Sequence, residues 1–217
     1  MRKCKILELI GGSLTDGGAE TLVKDYLVNI DNTRFETALF VDWTVEGTAN
    51  TTILKEYGQK IFTAYPEYSL FWRGIDRYFR TFFVVRGIRK AIRIFNPDVI
   101  HVHLAALHYL TFLKDEIKGR KLFYTCHSTV NAKLEAFPEE DKAARILVDG
   151  YGMKLIALHD SMKQELDERY KTDSIVVNNG IDIERFRSVN ETKDEIRQSL
   201  GIPSDSFVVG HVGRFVR

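Results

Sequence analysis

The chain alternates short apolar runs with longer amphipathic segments, and this alternation constrains its fold more than any other feature. Runs such as VIHV, LIAL, SIVV and FVVGHV are apolar at successive positions, as expected for strands that are covered on both faces. Strand, helix and strand in regular succession predict a doubly wound parallel sheet. We therefore predict an α/β fold with a Rossmann-like, mostly parallel sheet and helices on both faces.

The pattern predicts eight strands and at least five helices. The strands are expected at residues 5–10, 37–42, 59–64, 98–103, 121–126, 154–158, 174–177 and 207–212. The helices are expected at residues 19–30, 107–118, 140–151, 161–169 and 193–200.

Charge and cysteine content place the chain in a reducing, aqueous compartment. The formal net charge is +1, so no global field favours nucleic acid. The apolar start, MRKCKILELIGG, lacks a small-residue cleavage site and is interpreted as a buried first strand rather than a signal peptide. Cys4 and Cys126 lie in apolar runs and are typical of buried thiols. We predict a cytoplasmic protein.

The segment 69–95 combines aromatic residues with seven cations and one anion. Its two halves place their charges on faces about half a turn apart, which predicts two helices, or one helix broken near residues 81–83. This composition suits either contact with an anionic membrane or a core-packed helix pair with solvated cations. The residues expected to contact a membrane are Trp72, Arg73, Arg77, Arg80, Phe82 and Phe83.

A glycine-rich loop, GGSLTDGGAE at residues 11–20, joins the first strand to the first helix. Glycines there let backbone N–H groups approach an anion next to a helix N-terminus, which suits a phosphate. The loop has neither the G-x-G-x-x-G pattern nor the Lys-Ser/Thr of a P-loop. The alternative is a tight turn in which Asp16 or Gly17 caps the helix.

Three histidines lie at or just after the carboxyl ends of predicted strands. His101 and His103 are two residues apart, so both side chains point to one side of the sheet near the carboxyl end of a strand, where α/β sheets bind ligands. We expect one core histidine and one histidine facing the crevice, rather than a metal site, because no third ligand has a suitable spacing. His127 opens the loop after the next strand, where an imidazole can bond a ligand hydroxyl or transfer a proton; the alternative is a ring bonded to the backbone.

Five motifs in order resemble those of glycosyltransferase family 4. They are GGAE at 17–20, PDVIHVH at 97–103, TCH at 125–127, NGIDIERF at 179–186 and GRF at 213–215. The resemblance implies a GT-B fold, in which two Rossmann-like domains face each other across a cleft. It also implies sugar transfer from a nucleotide-sugar donor with retention, without a metal or another cofactor.

The resemblance also implies roles for single residues. Gly12, Gly17 and Gly18 are expected near the donor diphosphate, together with Arg214, for which a solvated arginine is the alternative. His127 corresponds to the family's histidine near the reaction centre, and His103 is expected toward the acceptor.

The same resemblance predicts two domains and an incomplete donor site. We expect residues 1–187 to form the acceptor-side domain, and residues 188–217 to form a linker and the first strand of a donor-binding domain. The family's lysine after Gly-Arg and its Glu-x7-Glu pattern do not occur, so we expect the isolated chain to be inactive. The expected partners are a nucleotide sugar and a glycan or lipid-linked acceptor in polysaccharide biosynthesis, with a possible peripheral position on the inner membrane face. The alternatives are a GT-B-like sugar-nucleotide epimerase and an inactive acceptor-binding module.

Overall fold

Seven parallel strands form the central sheet of the computed structural model, which describes residues 2–128, 137–181, 183 and 191–211. They are β1 (Cys4–Gly11), β3 (Phe35–Val41), β5 (Lys60–Thr63), β6 (Val99–Leu104), β7 (Lys121–Thr125), β8 (Lys154–Ala157) and β9 (Ile175–Val176). Their order across the sheet is β5-β3-β1-β6-β7-β8-β9, and every pairing is parallel. Two short strands, β2 (Ser13–Leu14) and β4 (Trp43–Thr44), pair separately.

Helices connect these strands. They are α1 (Gly18–Asn29), α2 (Ala49–Glu56), α3 (Leu70–Phe95), α4 (Leu107–Leu110), α5 (Lys114–Ile117), α6 (Pro138–Tyr151), α7 (Asp160–Tyr170) and α8 (Lys193–Ser199). The predicted doubly wound α/β fold is confirmed.

Successive residues of the strands point to two separate cores, so the sheet is covered on both faces. Leu7 and Leu9 of β1 pack in the larger core with α3, α6 and α7. Ile10, from the same strand, packs in the smaller core with Val23 and Leu27 of α1. This two-residue alternation explains why the strand sequences are apolar at both parities.

Helix α3 bends, as the charge phases predict. Phe79 has φ −124° and ψ 16°, which is not helical, so the kink comes slightly earlier than the predicted 81–83. After the kink, Val84, Ile88 and Ile92 are buried against the sheet. Before it, several aromatic side chains are exposed, among them Phe71 and Tyr78.

Two predicted elements differ from the structure, and one helix was not predicted. The expected helix at 107–118 is two short helices, α4 and α5. The loop between β4 and β5 contains helix α2, which the sequence pattern did not reveal because its polar face dominates. Residues 207–211 form no strand among the described residues, and Phe207 is 93% exposed, because a strand needs a partner to satisfy its backbone groups.

The chain separates into two compact units, Met1–Ile181 and Asp182–Arg217, whereas the sequence placed the division after residue 187. In the second unit, α8 begins with a capping box in which Thr192 and Glu195 bond each other's backbone N–H groups. Among the described helices, none is both long and apolar enough to cross a membrane.

Candidate functional site

The order of the strands locates a crevice between β1 and β6. From β1 the chain moves outward to β3 and β5, and it then crosses back through α3 to β6 on the other side of β1. This reversal is a topological switch point, and ligands of open α/β sheets bind beyond the carboxyl ends of the strands at such a point. The glycine-rich loop after β1 and the residues after β6 and β7 therefore surround the candidate site.

Two glycines shape the loop after β1. Gly11 lies so close to the chain after β6 that an added Cβ would sit 2.3 Å from the carbonyl oxygen of Ala105. Gly12 has φ +118°, a conformation that other residues rarely adopt. Its carbonyl accepts the N–H of Asp42 at 2.8 Å, which joins the loop to the end of β3. The close approach at Gly11 and the positive φ at Gly12 each require glycine, whether or not a ligand binds.

The second glycine pair begins α1. Gly17 is the N-cap of α1, and Gly18 is its first residue, with open space around it. Asp16 does not cap α1: its carboxylate accepts the N–H groups of Ala49 and Asn50 at 3.1 and 2.9 Å, and so caps α2. The N-terminus of α1 thus keeps glycine backbone N–H groups, as an anion site needs. A Cβ added at Gly17 would sit 2.4 Å from Oε2 of Glu20, so a bound anion would have to displace this carboxylate.

A network of one carboxylate and three imidazoles lies on the face of the sheet that α1 covers. Glu8 of β1 faces His101 and His103 of β6, and its Oε2 lies 3.1 Å from Nδ1 of His101 and 2.8 Å from Nε2 of His103. Nδ1 of His103 lies 2.9 Å from Nε2 of His127. Nε2 of His101 lies 2.8 Å from the Thr125 hydroxyl. The structure therefore brings together His101, His103 and His127.

Burial within the network distinguishes the two β6 histidines. His103 is buried, with 4% of its surface exposed, and both of its ring nitrogens already face partners. The position of His103 toward the acceptor stays a prediction. His101 is partly exposed, whereas His103 is the core histidine of the pair.

Glu8 is the component that the sequence did not reveal. Its side chain is fully buried, and among the described residues its Oε1 has no hydrogen-bond partner. Burial raises the pKa of Glu8, but the charge of His101 and hydrogen bonds from His101 and His103 outweigh burial and lower that pKa to about 2. The carboxylate is therefore ionised at neutral pH. An acidic residue inside an apolar strand was the available signal.

Among the described residues, Glu8, His101 and His103 form a cluster that could hold a metal ion. Glu8, His101 and His103 each offer a ligand atom, and these atoms lie within 4.8 Å of one another. The carboxylate and imidazole atoms are already joined by hydrogen bonds, which a metal would have to replace. The absence of a metal stays a prediction.

A cavity of about 520 Å³ lies beside the end of β6, between α3, α4 and the start of α6. His108 and Glu140 form a side-chain hydrogen bond on its wall, and Glu140 also accepts the N–H groups of Leu107 and His108. Tyr109 and Phe137 contribute aromatic surface. The sequence did not single out any of these residues.

Arg80 holds a second buried cluster together. Its guanidinium pairs with Asp42, which is 1% exposed, and with Asp76 at 3.1 Å, and its Nε donates to the hydroxyl of Tyr109 at 2.8 Å. Burial raises the pKa of Asp42 to about 6, although the charge of Arg80 opposes this rise. Arg80 is therefore held by Asp42, Asp76 and Tyr109 while 39% of its side chain stays exposed, and its contact with a membrane stays a prediction.

The remaining membrane candidates divide into two groups. Trp72 and Phe83 are partly buried and pack against the larger core, where their rings contact Tyr65. Arg73, Arg77 and Phe82 are exposed. Arg214 and half of the NGIDIERF stretch lie outside the described residues.

A model of one protein family matches most of the chain. The family is described as Glycosyltransferase Family 4, and the match covers residues 16–185. TuaC of Bacillus subtilis (strain 168), which is named as a glycosyltransferase of teichuronic acid biosynthesis, is 30% identical over 160 residues. That alignment covers 70% of this chain and 41% of TuaC.

Solved structures show the same fold at lower identity. A glycosyltransferase from Rickettsia africae ESF-5 superposes with a TM-score of 0.65 at 18% identity, over 94% of this chain and 51% of its own. UDP-GlcNAc 2-epimerase from Neisseria meningitidis superposes with a TM-score of 0.55 at 16% identity, over 93% and 54%. The chain thus spans about half the length of the proteins that it matches.

Proposed function

The chain belongs to glycosyltransferase family 4, and from this premise we propose that it supplies the acceptor-side half of a sugar-transferring enzyme. The donor is a nucleotide sugar, and the acceptor is a glycan or a lipid-linked glycan. The reaction retains the configuration at the transferred carbon and uses neither a metal nor another cofactor. The name of TuaC supports polysaccharide biosynthesis as the setting.

One observation carries this proposal: the family match spans Gly17 and Gly18 at the start of α1, the histidines of β6 and His127, and the fold gathers these at one switch point. Gly12, Gly17 and Gly18 present backbone that can approach the donor diphosphate. Arg214 supplies a guanidinium to the same diphosphate. His127 is the proposed catalytic residue.

The chemistry assigned to His127 is electrostatic and positional. Sugar transfer from a nucleotide diphosphate separates a developing cation on the sugar from an anion on the leaving group. An imidazole held at the mouth of the crevice can bond a sugar hydroxyl and so fix the reacting ring. A rigid sheet edge suits this task, because small displacements of a positioning group lower the rate strongly.

The test is donor turnover by the full-length protein that contains this chain. A panel of nucleotide sugars is incubated with the protein and a fraction of lipid-linked glycans, and nucleoside diphosphate release is measured. We expect one donor to be consumed only when an acceptor is present. Epimerised sugar nucleotide without any acceptor would instead support the epimerase alternative, whose fold is similar. Glycan binding without turnover would support an inactive binding module.

A peripheral position on the inner face of an anionic membrane is part of the proposal. The first half of α3 exposes Phe71, Tyr78 and Phe82 together with Arg73 and Arg77. Exposed aromatic rings beside cations suit the interface between headgroups and acyl chains. Each arginine near such a surface contributes about 1 kcal/mol.

Sedimentation with vesicles tests this position. Binding to anionic vesicles should exceed binding to neutral vesicles, and the double variant Arg73→Gln/Arg77→Gln should bind the anionic vesicles roughly 30-fold less tightly, since two charges contribute about 2 kcal/mol. Lys118→Gln, an exposed cation on another element, is the control and should bind as the wild type does. Equal partitioning to both kinds of vesicle would exclude the membrane contact.

A further inference from the structure

A line of hydrogen bonds runs from the buried carboxylate of Glu8 to the ring of His127. Oε2 of Glu8 contacts Nε2 of His103 at 2.8 Å, and Nδ1 of His103 contacts Nε2 of His127 at 2.9 Å. The three residues come from β1, from β6 and from the loop after β7, which are adjacent across the sheet. The site loop is therefore attached to the centre of the sheet by side chains as well as by backbone.

The direction of each hydrogen bond follows from the chemistry of its groups. An ionised carboxylate can only accept, so Nε2 of His103 carries the hydrogen that points to Glu8. With His103 in its neutral form, the nitrogen opposite the donating Nε2 accepts, so Nδ1 of His103 accepts from Nε2 of His127. His127 is then the tautomer with hydrogen on Nε2, and its Nδ1 is the unprotonated nitrogen.

The position of Glu8 is unfavourable unless the carboxylate has such a task. Its neighbours Leu7 and Leu9 are fully buried, and an apolar residue would continue the strand pattern. Burying a carboxylate carries a large desolvation penalty, and one oxygen of Glu8 has no partner among the described residues. Packing therefore does not explain why an acid stands at this position, whereas the hydrogen bonds to His101 and His103 do.

We propose that Glu8 and His103 are positioning residues that hold the ring of His127 in one orientation and one tautomer. His103 links the ring of His127 to the carboxylate of Glu8, and neither Glu8 nor His103 needs to touch the substrate. The tautomer itself is a property of this chain, whereas its consequence for sugar transfer rests on the proposed function. A fixed partner on one nitrogen of a reactive histidine commonly decides what the other nitrogen can do.

Nitrogen NMR of the histidine rings tests the tautomer directly in the 217-residue chain. At neutral pH the wild type should show a protonated Nε2 and an unprotonated Nδ1 at His127. Glu8→Leu, which keeps the apolar packing, should convert His127 to a mixture of tautomers. Thr125→Val is the matched control, because it removes the hydroxyl that faces Nε2 of His101 and leaves the line from Glu8 to His127 intact. Its His127 signals should match the wild type.

Three results would overturn the proposal. The first is a wild-type His127 protonated on Nδ1, which would mean that His103 donates to it. The second is a His127 spectrum that Glu8→Leu leaves unchanged in a folded chain. The third is stoichiometric zinc in the purified protein by elemental analysis, because Glu8, His101 and His103 would then be its ligands.

Kinetics of the full-length enzyme test the consequence. Glu8→Leu should lower kcat about 10- to 100-fold with little change in KM for the donor, which is the usual effect of losing a group that orients a reactive histidine. Glu8→Gln retains an accepting oxygen and should recover part of the loss. An active enzyme with unchanged kcat in Glu8→Leu would refute the positioning role. Absence of transfer in the wild type would refute the proposed function instead, and the NMR result would then decide the tautomer claim alone.

Discussion

Replacing Arg80 by methionine should destabilise the fold through Asp42. Arg80 pairs with the carboxylate of Asp42, which is 1% exposed, and no other described cation pairs with that carboxylate. Methionine keeps much of the side-chain length and removes the charge. The variant therefore leaves a buried carboxylate without its cation, whereas the segment pattern alone would suggest the loss of an exposed, membrane-facing charge.

The size of the effect follows from burial. Removing one partner of a buried ion pair typically destabilises a protein by about 3–5 kcal/mol. The side chain of Arg80 is 39% exposed, and water screens its charge in part, so we take the lower end, about 3 kcal/mol. For a domain of this size that loss corresponds to a decrease in Tm of roughly 6–12 °C.

The loss of unfolding free energy in Arg80→Met should also depend on pH. The folded pKa of Asp42, about 6, lies above its usual 3.8, so its contribution to stability is complete below pH 3.8 and is lost as the pH rises through 6. Without Arg80 this pKa rises further, and Asp42 takes up a proton more readily. The destabilisation by Arg80→Met should therefore be small at pH 5 and complete at pH 8.

Urea unfolding followed by tryptophan fluorescence measures both effects. Trp43 and Trp72 belong to the aromatic cluster around Tyr65, which donates a hydrogen bond to Asp76 beside Arg80. Arg77→Met, at an exposed position of the same helix, is the control and should change stability by less than about 0.5 kcal/mol. Asp42→Asn should restore part of the stability of Arg80→Met. A loss in Arg80→Met that equals the control, or that is the same at both pH values, would refute this reasoning.

Three further predictions concern the loop after β1, Glu8 and the donor. Gly11→Ala should destabilise the fold by about 1–3 kcal/mol in thermal unfolding, because its methyl group would overlap the backbone of Ala105. Gly18 has open space around it, so Gly18→Ala should stay within about 0.5 kcal/mol of wild type. Equal losses would contradict the close approach of the two backbones. The pKa of Glu8 is lowered to about 2, so its stabilising contribution is present above pH 4.5 and is lost as the pH falls toward 2. Wild type should therefore lose more unfolding free energy over that range than Glu8→Gln. Parallel curves of unfolding free energy against pH would contradict this. Calorimetry should detect no micromolar binding of a sugar nucleotide to the isolated 217 residues, since most of the expected donor contacts come from another domain, and tight binding would overturn that division of the site.

The sequence predicted a parallel sheet because the positions of strands and helices along the chain follow from local periodicity. It also predicted that His101 and His103 point to one side, since alternation along a strand fixes side-chain direction. It did not predict their partner, because Glu8 lies 93 residues before His101 and only the pairing of β1 with β6 brings them together.

Long-range pairing likewise explains the contact of Arg80 with Asp42, which the sequence did not predict. Its helical phase matches that of Arg73 and Arg77, and this periodicity suggested one solvated face. Asp42, far away in the chain, draws Arg80 inward once β3 and α3 pack together. Helix α2 was not predicted for a different reason: its buried residues include the polar Asn50 and Thr51, so it lacks an apolar periodicity.

Donor turnover by the full-length protein, with wild type and His127→Ala compared side by side, tests the central claim most directly. The account predicts that wild type releases nucleoside diphosphate from one nucleotide sugar in the presence of an acceptor, and that His127→Ala lowers kcat at least about 100-fold while the protein stays folded. An enzyme that transfers sugar equally well without the His127 imidazole would contradict the assigned reaction centre, and a folded wild type that consumes no donor would contradict the assigned activity.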